Sequence, residues 1–569
     1  MCGIVGVVTR RKNADTYVSR VKEGLSKIKH RGPDDQNIYT NEDVCMGYVR
    51  LAIRGLTPLY NQPIVSGDAV SFANGEVYSK EGVPVNVNEN DLQPLVDELS
   101  IKKEKIFNQY DADFAVCQYN KKTRKFYLAR DLFGVKPLYY SWVDEDTLAF
   151  ASEIKGIKSI LNTENEINSQ TVFDYMVFGY PVEDRTFYKN IHVFPTKSVF
   201  EWDLVENTKK YYNAKFKENK IEKVPLDEEI MDEIYEPLKE AVKNRLISDR
   251  KLGMHLSGGL DSSLIAYLAN EIDESSKDFY TAYNSKEDND LRYSKIITDL
   301  MKSKQKKIQI PKDKDYEGLI TTLDSPIMSS GAFVPYLISG LANDNSEVVL
   351  LAGQGADELF FGYHRFQKMK EDMNIDELIE MLSNSDYDML QKLFPNKNIK
   401  DTIKNRYKDY IDKKDKNVFE KAQEFYINNF LAELLHIEDH VHMKYHIENR
   451  VPFLSLPVWN WIVENRIKIN GENNKIPILN THKKMNTAVV KRTLKENMNV
   501  SLNDELENRK DELKKMLEFR IFKDMDYEKL EEYINKIPTL SRKEIFVVWT
   551  LYNIQTWYRL NKFNETIKI

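Results

Sequence analysis

Cysteine is scarce in this sequence. Only three occur, Cys2, Cys45 and Cys117, and an odd number in a long chain with no Cys-x-x-Cys pair excludes a disulfide framework and a zinc or redox motif. No apolar run approaches the roughly 18 residues that cross a bilayer. The start, Met1-Cys2-Gly3-Ile4-Val5-Gly6, has no basic stretch ahead of a long apolar segment, so no secretory signal is read there and a cytoplasmic location is expected. Glycine and proline are few, 22 and 18 of 569 residues, which leaves out fibrous and low-complexity classes. An excess of one charge is missing too: 82 basic against 89 acidic residues, a formal net charge of -7, are mixed along the chain and give no electrostatic case for nucleic acid or a membrane as partner. What remains is a globular chain of about three or four domain lengths.

What is present centres on Leu256-Ser257-Gly258-Gly259-Leu260-Asp261-Ser262-Ser263. The octet follows the apolar run Leu252 to Leu256 and opens the helical pattern Leu264 to Ala269, so it reads as strand, glycine-rich turn and helix. Such a turn offers backbone N–H groups, three hydroxyls and a positive helix end to an anion. A Gly-Lys-Ser/Thr ending is missing, which excludes the NTPase loop, and there is no third glycine at dinucleotide spacing. Asp261 is tolerated beside phosphates chiefly when Mg²⁺ bridges them, so the octet reads as a loop for Mg-bound pyrophosphate. Standing alone, it is equally a Gly-Ser turn of an ordinary α/β unit.

Cys2 is the second special position. Removal of Met1 leaves an α-amine with a pKa of about 8 beside a thiol of about 8.5, base and nucleophile within one residue, as in N-terminal nucleophile hydrolases. The surroundings of Cys2 resemble the class II glutamine amidotransferase domain. The matching pieces are Cys2-Gly3-Ile4-Val5-Gly6, His30-Arg31-Gly32-Pro33-Asp34, Arg50-Leu51-Ala52-Ile53, Asn74-Gly75-Glu76-Val77-Tyr78 and Asp91, in the family's order, with Leu128 to Tyr140 and Phe150 to Lys155 continuing it. The resemblance implies glutamine binding by Arg50, Ile53, Asn74, Glu76 and Asp91, with Arg50 on the carboxylate and Asp91 on the ammonium. Asn74 and Gly75 become donors to the oxyanion, each contributing roughly 3 to 4 kcal/mol in comparable sites, and Cys2 forms a γ-glutamyl thioester that releases ammonia. Two pieces depart from the pattern, Ala112 to Val116 and Glu89-Asn90.

Short β-branched and aromatic runs separated by polar turns predict a sheet-rich first domain, residues 1–210, an α+β antiparallel sandwich of the N-terminal nucleophile type. Charge-dense sequence from Lys217 to Glu229 marks the boundary, with the linker read as 211–228. In 229–569, helical patterns at Ile230 to Ser248, Tyr293 to Lys302 and Val418 to Ile437 alternate with apolar runs at Lys251 to Leu256, Phe279 to Tyr283 and Val348 to Ala352. That alternation predicts a parallel-sheet α/β domain with additional helices and the phosphate loop at a strand's carboxyl end. A Lys/Asp/Asn-rich stretch, 368–416, reads as a helical surface insertion, and Phe546 to Tyr552 as a packing helix.

Gly353-Gln354-Gly355-Ala356-Asp357-Glu358, Asp439, Glu448 to Leu454 and Lys491 join the octet in resembling the synthetase domain of asparagine synthetase. That resemblance implies ATP and pyrophosphate at Leu256 to Ser263, Gly353 and Gln354, Mg²⁺ near Asp261 and Asp357, and Lys491 neutralising charge as a carboxylate attacks the α-phosphate; a solvated lysine is the plain alternative for Lys491. The expected reaction hydrolyses glutamine at Cys2 and passes ammonia to an acyl-adenylate, giving asparagine or a related amide, AMP and pyrophosphate. Two departures bear on the acid: Gln354 stands where a glutamate is usual, and Ser325 to Phe333 lacks the family's arginine. A sugar, peptide or secondary-metabolite carboxylate is therefore the second reading, ahead of an intramolecular cyclase or a non-catalytic homologue. Small-molecule partners are expected, with a homodimer left open.

Overall fold

The computed structural model describes residues 2–569 except 86–89, 162–165, 217–233, 276, 286–287, 414–415, 466–474, 486–500 and 564. Its first half is built on strand Cys2–Thr9, whose residues alternate with period two: Ile4 and Val8 join one core, Val5 and Val7 another. This strand lies between Val44–Arg50 and Thr147–Ala151 in a six-stranded antiparallel sheet. A second antiparallel sheet of seven strands has Tyr110–Asn120 and Ala69–Lys80 at its centre. Ile4, Met46 and Tyr48 of the first sheet meet Phe72, Leu128 and Trp202 of the second. Helix Val18–Lys27 covers the outer face of one sheet with Val21 and Leu25. Helix Gln93–Lys102 covers the other with Leu95, Val96 and Leu99. Each buried aliphatic side chain contributes roughly 1.5 to 3 kcal/mol, so the layers are held mainly by these faces.

Five parallel strands form the second half, in the order Lys304–Gln309, Asp278–Tyr283, Leu252–His255, Val349–Leu351, Glu448–Arg450. Numbered by sequence this order is 3-2-1-4-5, and its direction reverses between Leu252–His255 and Val349–Leu351. Loops leaving the carboxyl ends of strands at such a switch point form a crevice where ligands bind. The two loops that leave here are the glycine-serine octet and Gly353 to Asp357.

The periodicity missed two strands. Lys304–Gln309 is an exposed lysine-rich edge with no apolar run, a composition that blunts edge pairing. Glu448–Arg450 is fully buried, yet its charges are satisfied by ion pairs that sequence does not display. The expected helix over 418–437 is observed as Val418–Phe425, a π-helical turn Tyr426–Leu431 and Ala432–Lys444. The turn accommodates Asn429, which donates to the Phe425 carbonyl at 2.8 Å and accepts from the Glu183 amide at 2.9 Å. Residues 368–416 hold helices Ile375–Leu382, Tyr387–Leu393 and Ile399–Ile411, and they are not confined to the surface. Leu382, Leu390 and Ile403 are buried, and Tyr407 donates to Asp174 of the first half at 2.6 Å. Among the described residues no helix is long and apolar enough to cross a membrane.

Buried charge pairs lock the halves together. Arg245 reaches Asp111 at 2.9 Å, Arg450 reaches Glu76 at 2.6 Å, and Arg31 reaches Asp439 at 2.6 Å. Breaking such a pair strands a buried charge, at a cost of about 3 to 5 kcal/mol.

Candidate functional site

Two sites are built on this frame. Cys2 opens the first strand opposite Arg50 and is 7% exposed. Its backbone N–H donates to Asn74 Oδ1 at 2.9 Å. Asn74 is wholly buried, and its Nδ2 has no hydrogen-bond partner among the described residues. A buried donor of that kind is costly unless something anionic or carbonyl-like comes to it. Gly75 follows on the same strand, opposite Phe114. Burial pushes the Cys2 thiol up, with the Leu51 amide and Arg50 pulling it back, so the thiol becomes a thiolate only with a base at hand.

Arg50 is held by Asn61 Oδ1 at 2.7 Å and the Gly55 carbonyl at 2.5 Å, which fixes the plane of its guanidinium fork. Asp91 accepts from the Val77 amide at 2.9 Å and stands 3.9 Å from Arg54. Burial pushes its carboxyl up, offset by Arg54. Ile53 is buried, and its carbonyl accepts from the Asp249 amide at 3.0 Å, tying this loop to the second half. Glu76 behaves differently: its carboxylate is taken by Arg450 at 2.6 Å, at the interface between the halves.

At the other site, Gly258 has φ +70°, and a Cβ there would stand 2.6 Å from the Ser294 amide, so only glycine fits the turn. Gly259 caps helix Leu260–Ile272, whose first-turn N–H groups have no intrahelical partner. Ser257 Oγ and Ser262 Oγ are 3.0 Å apart, Ser263 Oγ is buried with no partner among the described residues, and Leu256 lies in the core beneath. Gly353 packs against Asp261 and Ser262, bringing the two loops together. Lys475 joins them: its Nζ lies 2.5 Å from Asp261 Oδ2 and 2.5 Å from Asp357 Oδ1. Gly362 makes room, since a Cβ there would stand 1.9 Å from Asp357 and 2.1 Å from Lys475. Lys491 lies outside the described residues.

Sequence reasoning missed Lys475, Glu438 and the role of Arg31. Lys475 carries no motif, and only the fold sets it between two distant aspartates. Glu438 and Asp439 are buried carboxylates on helix Ala432–Lys444, a signal visible as two acids in an otherwise buried helical face. Arg31 lies in the His30 to Asp34 loop, but the carboxylates it pairs with are over a hundred residues away. In contrast Phe333, expected near the acid-binding segment, is core: it is 2% exposed and stacks edge-on with Tyr316.

An αββα layer structure with a buried cysteine at residue two, joined to a doubly wound domain with a glycine-serine loop at its switch point, defines a glutamine amidotransferase fused to a nucleotide-binding domain. The Glutamine amidotransferase domain model matches residues 1–213 and the Asparagine synthase model residues 233–559. This chain is 31% identical over 406 residues to a Methanocaldococcus jannaschii protein named "Putative asparagine synthetase (glutamine-hydrolyzing) 2", covering 64% of this chain and 76% of that one. It is 29% identical over 388 residues to asparagine synthetase (glutamine-hydrolyzing) 1 of Bacillus subtilis, covering 65% of this chain and 60% of the relative. The chain belongs to the asparagine synthase family.

Proposed function

We propose that the chain is a glutamine-dependent, ATP-consuming ligase that moves the amide nitrogen of glutamine onto a carboxylate, with aspartate as the first candidate acid and asparagine as its product. The observation that carries this reading is the bond from Cys2 N to Asn74 Oδ1, with Asn74 Nδ2 left without a partner among the described residues. In the proposed first step Cys2 Sγ attacks the glutamine amide carbon while Asn74 and Gly75 donate to the oxyanion. The α-amine exposed by loss of Met1 takes the thiol proton and returns it to the departing ammonia. Water then cleaves the thioester. Arg50 and Asp91 hold the two ends of glutamine.

In the second step the phosphates of ATP lie on the Ser257 to Ser263 turn and the first-turn amides of Leu260–Ile272. Asp261 and Asp357 suit a divalent cation, because both already converge on one ammonium nitrogen and Asp261 Oδ1 is buried with no hydrogen bond among the described residues. Mg²⁺ held there would neutralise phosphate charge as pyrophosphate departs. Lys491 keeps the charge-neutralising role that the family resemblance gives it. The acid, activated as its adenylate, is then open to ammonia, which displaces AMP.

A second reading keeps this chemistry and changes the acid, and Ser325 to Phe333 favours it, because that segment holds no arginine for an α-carboxylate. An AMP-release screen with glutamine and candidate acids decides. Aspartate-dependent AMP and asparagine support the first reading; no AMP with aspartate, but release with a sugar or peptide carboxylate, supports the second.

A further inference from the structure

Helix Ala432–Lys444 presents consecutive carboxylates to different places. Asp439 holds Arg31, whose Nε donates to the Cys2 carbonyl at 3.1 Å. Glu438 turns to the synthetase side. Its Oε1 accepts from Gln354 Nε2 at 2.7 Å and its Oε2 from Asn449 Nδ2 at 3.2 Å. His442 Nδ1 lies 3.4 Å from the same Oε2 and 2.6 Å from the Glu438 carbonyl. Gln354 directly follows Gly353, which packs on the phosphate loop, and Asn449 lies on the neighbouring strand Glu448–Arg450. The cluster therefore sits beside the nucleotide loop at the switch point of the sheet.

Every unsatisfied atom in it is an acceptor. Among the described residues Gln354 Oε1 and Asn449 Oδ1 have no partner, and neither has His442 Nε2, which carries a lone pair when Nδ1 donates to the Glu438 carbonyl. Burial holds His442 down at about 4, so the ring is neutral near pH 7 and brings no cation. No lysine or arginine pairs with Glu438 among the described residues. Glu438, His442 and Asn449 are 7%, 0% and 5% exposed. Burial pushes the Glu438 carboxyl up to about 8, with Gln354 pulling it back, so near pH 7 it becomes a carboxylate when a cation comes to offset its charge. A buried carboxylate ringed by spare acceptors is complementary to a small cation rich in N–H donors.

We propose that this cluster receives ammonium for the second half-reaction, with Glu438 as the catalytic residue that takes a proton from it. Ammonium donates to Glu438 and to the spare acceptors of Gln354, Asn449 and His442. One proton passes to the Glu438 carboxylate, leaving the carboxylic acid and ammonia. The nitrogen lone pair forms the new C–N bond, the C–O bond to AMP breaks with its electron pair leaving on AMP, and the proton shed by the amide nitrogen goes to solvent. Free ammonium is favoured over the ammonium group of an amino-acid substrate because the cluster is enclosed and shares its helix with the Asp439–Arg31 link to the nitrogen source.

This inference rests on the two-site reading, and its test separates the two. In the full-length protein, Glu438→Gln and the swap Gln354→Glu/Glu438→Gln are compared with wild type for AMP release against ammonium chloride at constant ionic strength, using an acid that supports wild-type turnover. Glutamate release from glutamine reports that each variant is folded. Glu438→Gln is expected to raise the KM for ammonium about tenfold or more with the KM for acid and ATP unchanged, and the swap to bring it back to within about threefold. An unchanged ammonium KM, or a rise confined to the acid KM, overturns the proposal. Where wild type releases no AMP with any acid, the two-site reading fails instead, and thermal unfolding still decides the cluster. Ammonium chloride then raises the Tm of wild type but not of Glu438→Gln relative to matched sodium chloride; the same rise with potassium chloride, or none, overturns it.

Discussion

Arg31 and Asp439, 408 positions apart, form a buried two-pronged pair: Nη1 reaches Oδ2 at 2.6 Å and Nη2 reaches Oδ1 at 2.9 Å. Glu153 accepts from the same guanidinium at 2.9 Å, and the Cys2 carbonyl accepts from its Nε at 3.1 Å. The two carboxylates hold Arg31 firmly charged. One guanidinium thus fixes the first strand, the helix Ile154–Lys158 that begins just after Glu153, and helix Ala432–Lys444. Asp439→Ala removes one of the two carboxylates that neutralise the buried Arg31 guanidinium, so unfolding in urea is expected to be easier by about 3 kcal/mol. Glutamate release should then exceed amide formation, because the helix that spans both sites loses its anchor. A variant whose two rates stay matched, with unchanged urea midpoint, counts against the link.

Asn74 tests the first site. Asn74→Ala removes both the acceptor for the Cys2 N–H and the spare Nδ2, and a lost oxyanion donor lowers kcat by about 10² to 10³. Glutamine-dependent turnover is expected to fall by that factor while ammonia-dependent turnover is kept. Cys2→Ala is expected to abolish the former and spare the latter. Equal loss of both activities in either variant, measured side by side, would leave a single shared site as the explanation.

Legibility followed local chemistry. The alternating run after Cys2 and the glycine-serine turn before Leu264 announce their strand, turn and helix, because period and backbone freedom are written into adjacent residues. Partners such as Lys475 for Asp261, or Arg450 for Glu76, are brought together only by topology, so no window of sequence contains them. The edge strand Lys304–Gln309 was invisible for a different reason: it buries too little to need an apolar face. Strand Glu448–Arg450 was invisible for the converse reason, since it buries charge that is neutralised from other segments.

Lys475 gives a metal-dependent prediction. With Nζ at 2.5 Å from both Asp261 and Asp357, it neutralises two carboxylates that would otherwise repel. Lys475→Met leaves that pair facing, so the variant should be destabilised in EDTA and regain stability as magnesium chloride is added, with a larger Tm rise than wild type shows. Asp261→Ala should abolish ATP/pyrophosphate exchange while glutamate release persists. Identical magnesium responses of Lys475→Met and wild type would separate these aspartates from the cation.

Glu433 supplies a pH signature. It lines a cavity of about 430 Å³ between the halves, and burial pushes its carboxyl from 4.5 up to about 8. Because the folded group binds its proton more tightly than the unfolded one, its favourable contribution is complete below 4.5 and is lost as pH rises to about 8, beyond which the loss is constant. Glu433→Gln cannot ionise, so its stability relative to wild type should climb between those limits, by at most about 1.4 kcal/mol per pH unit. Urea midpoints for the two proteins at pH 5, 6, 7 and 8, chosen to span that window, should diverge steadily. Parallel curves would mean that Glu433 ionises at its ordinary value and that solvent or a cation reaches the cavity.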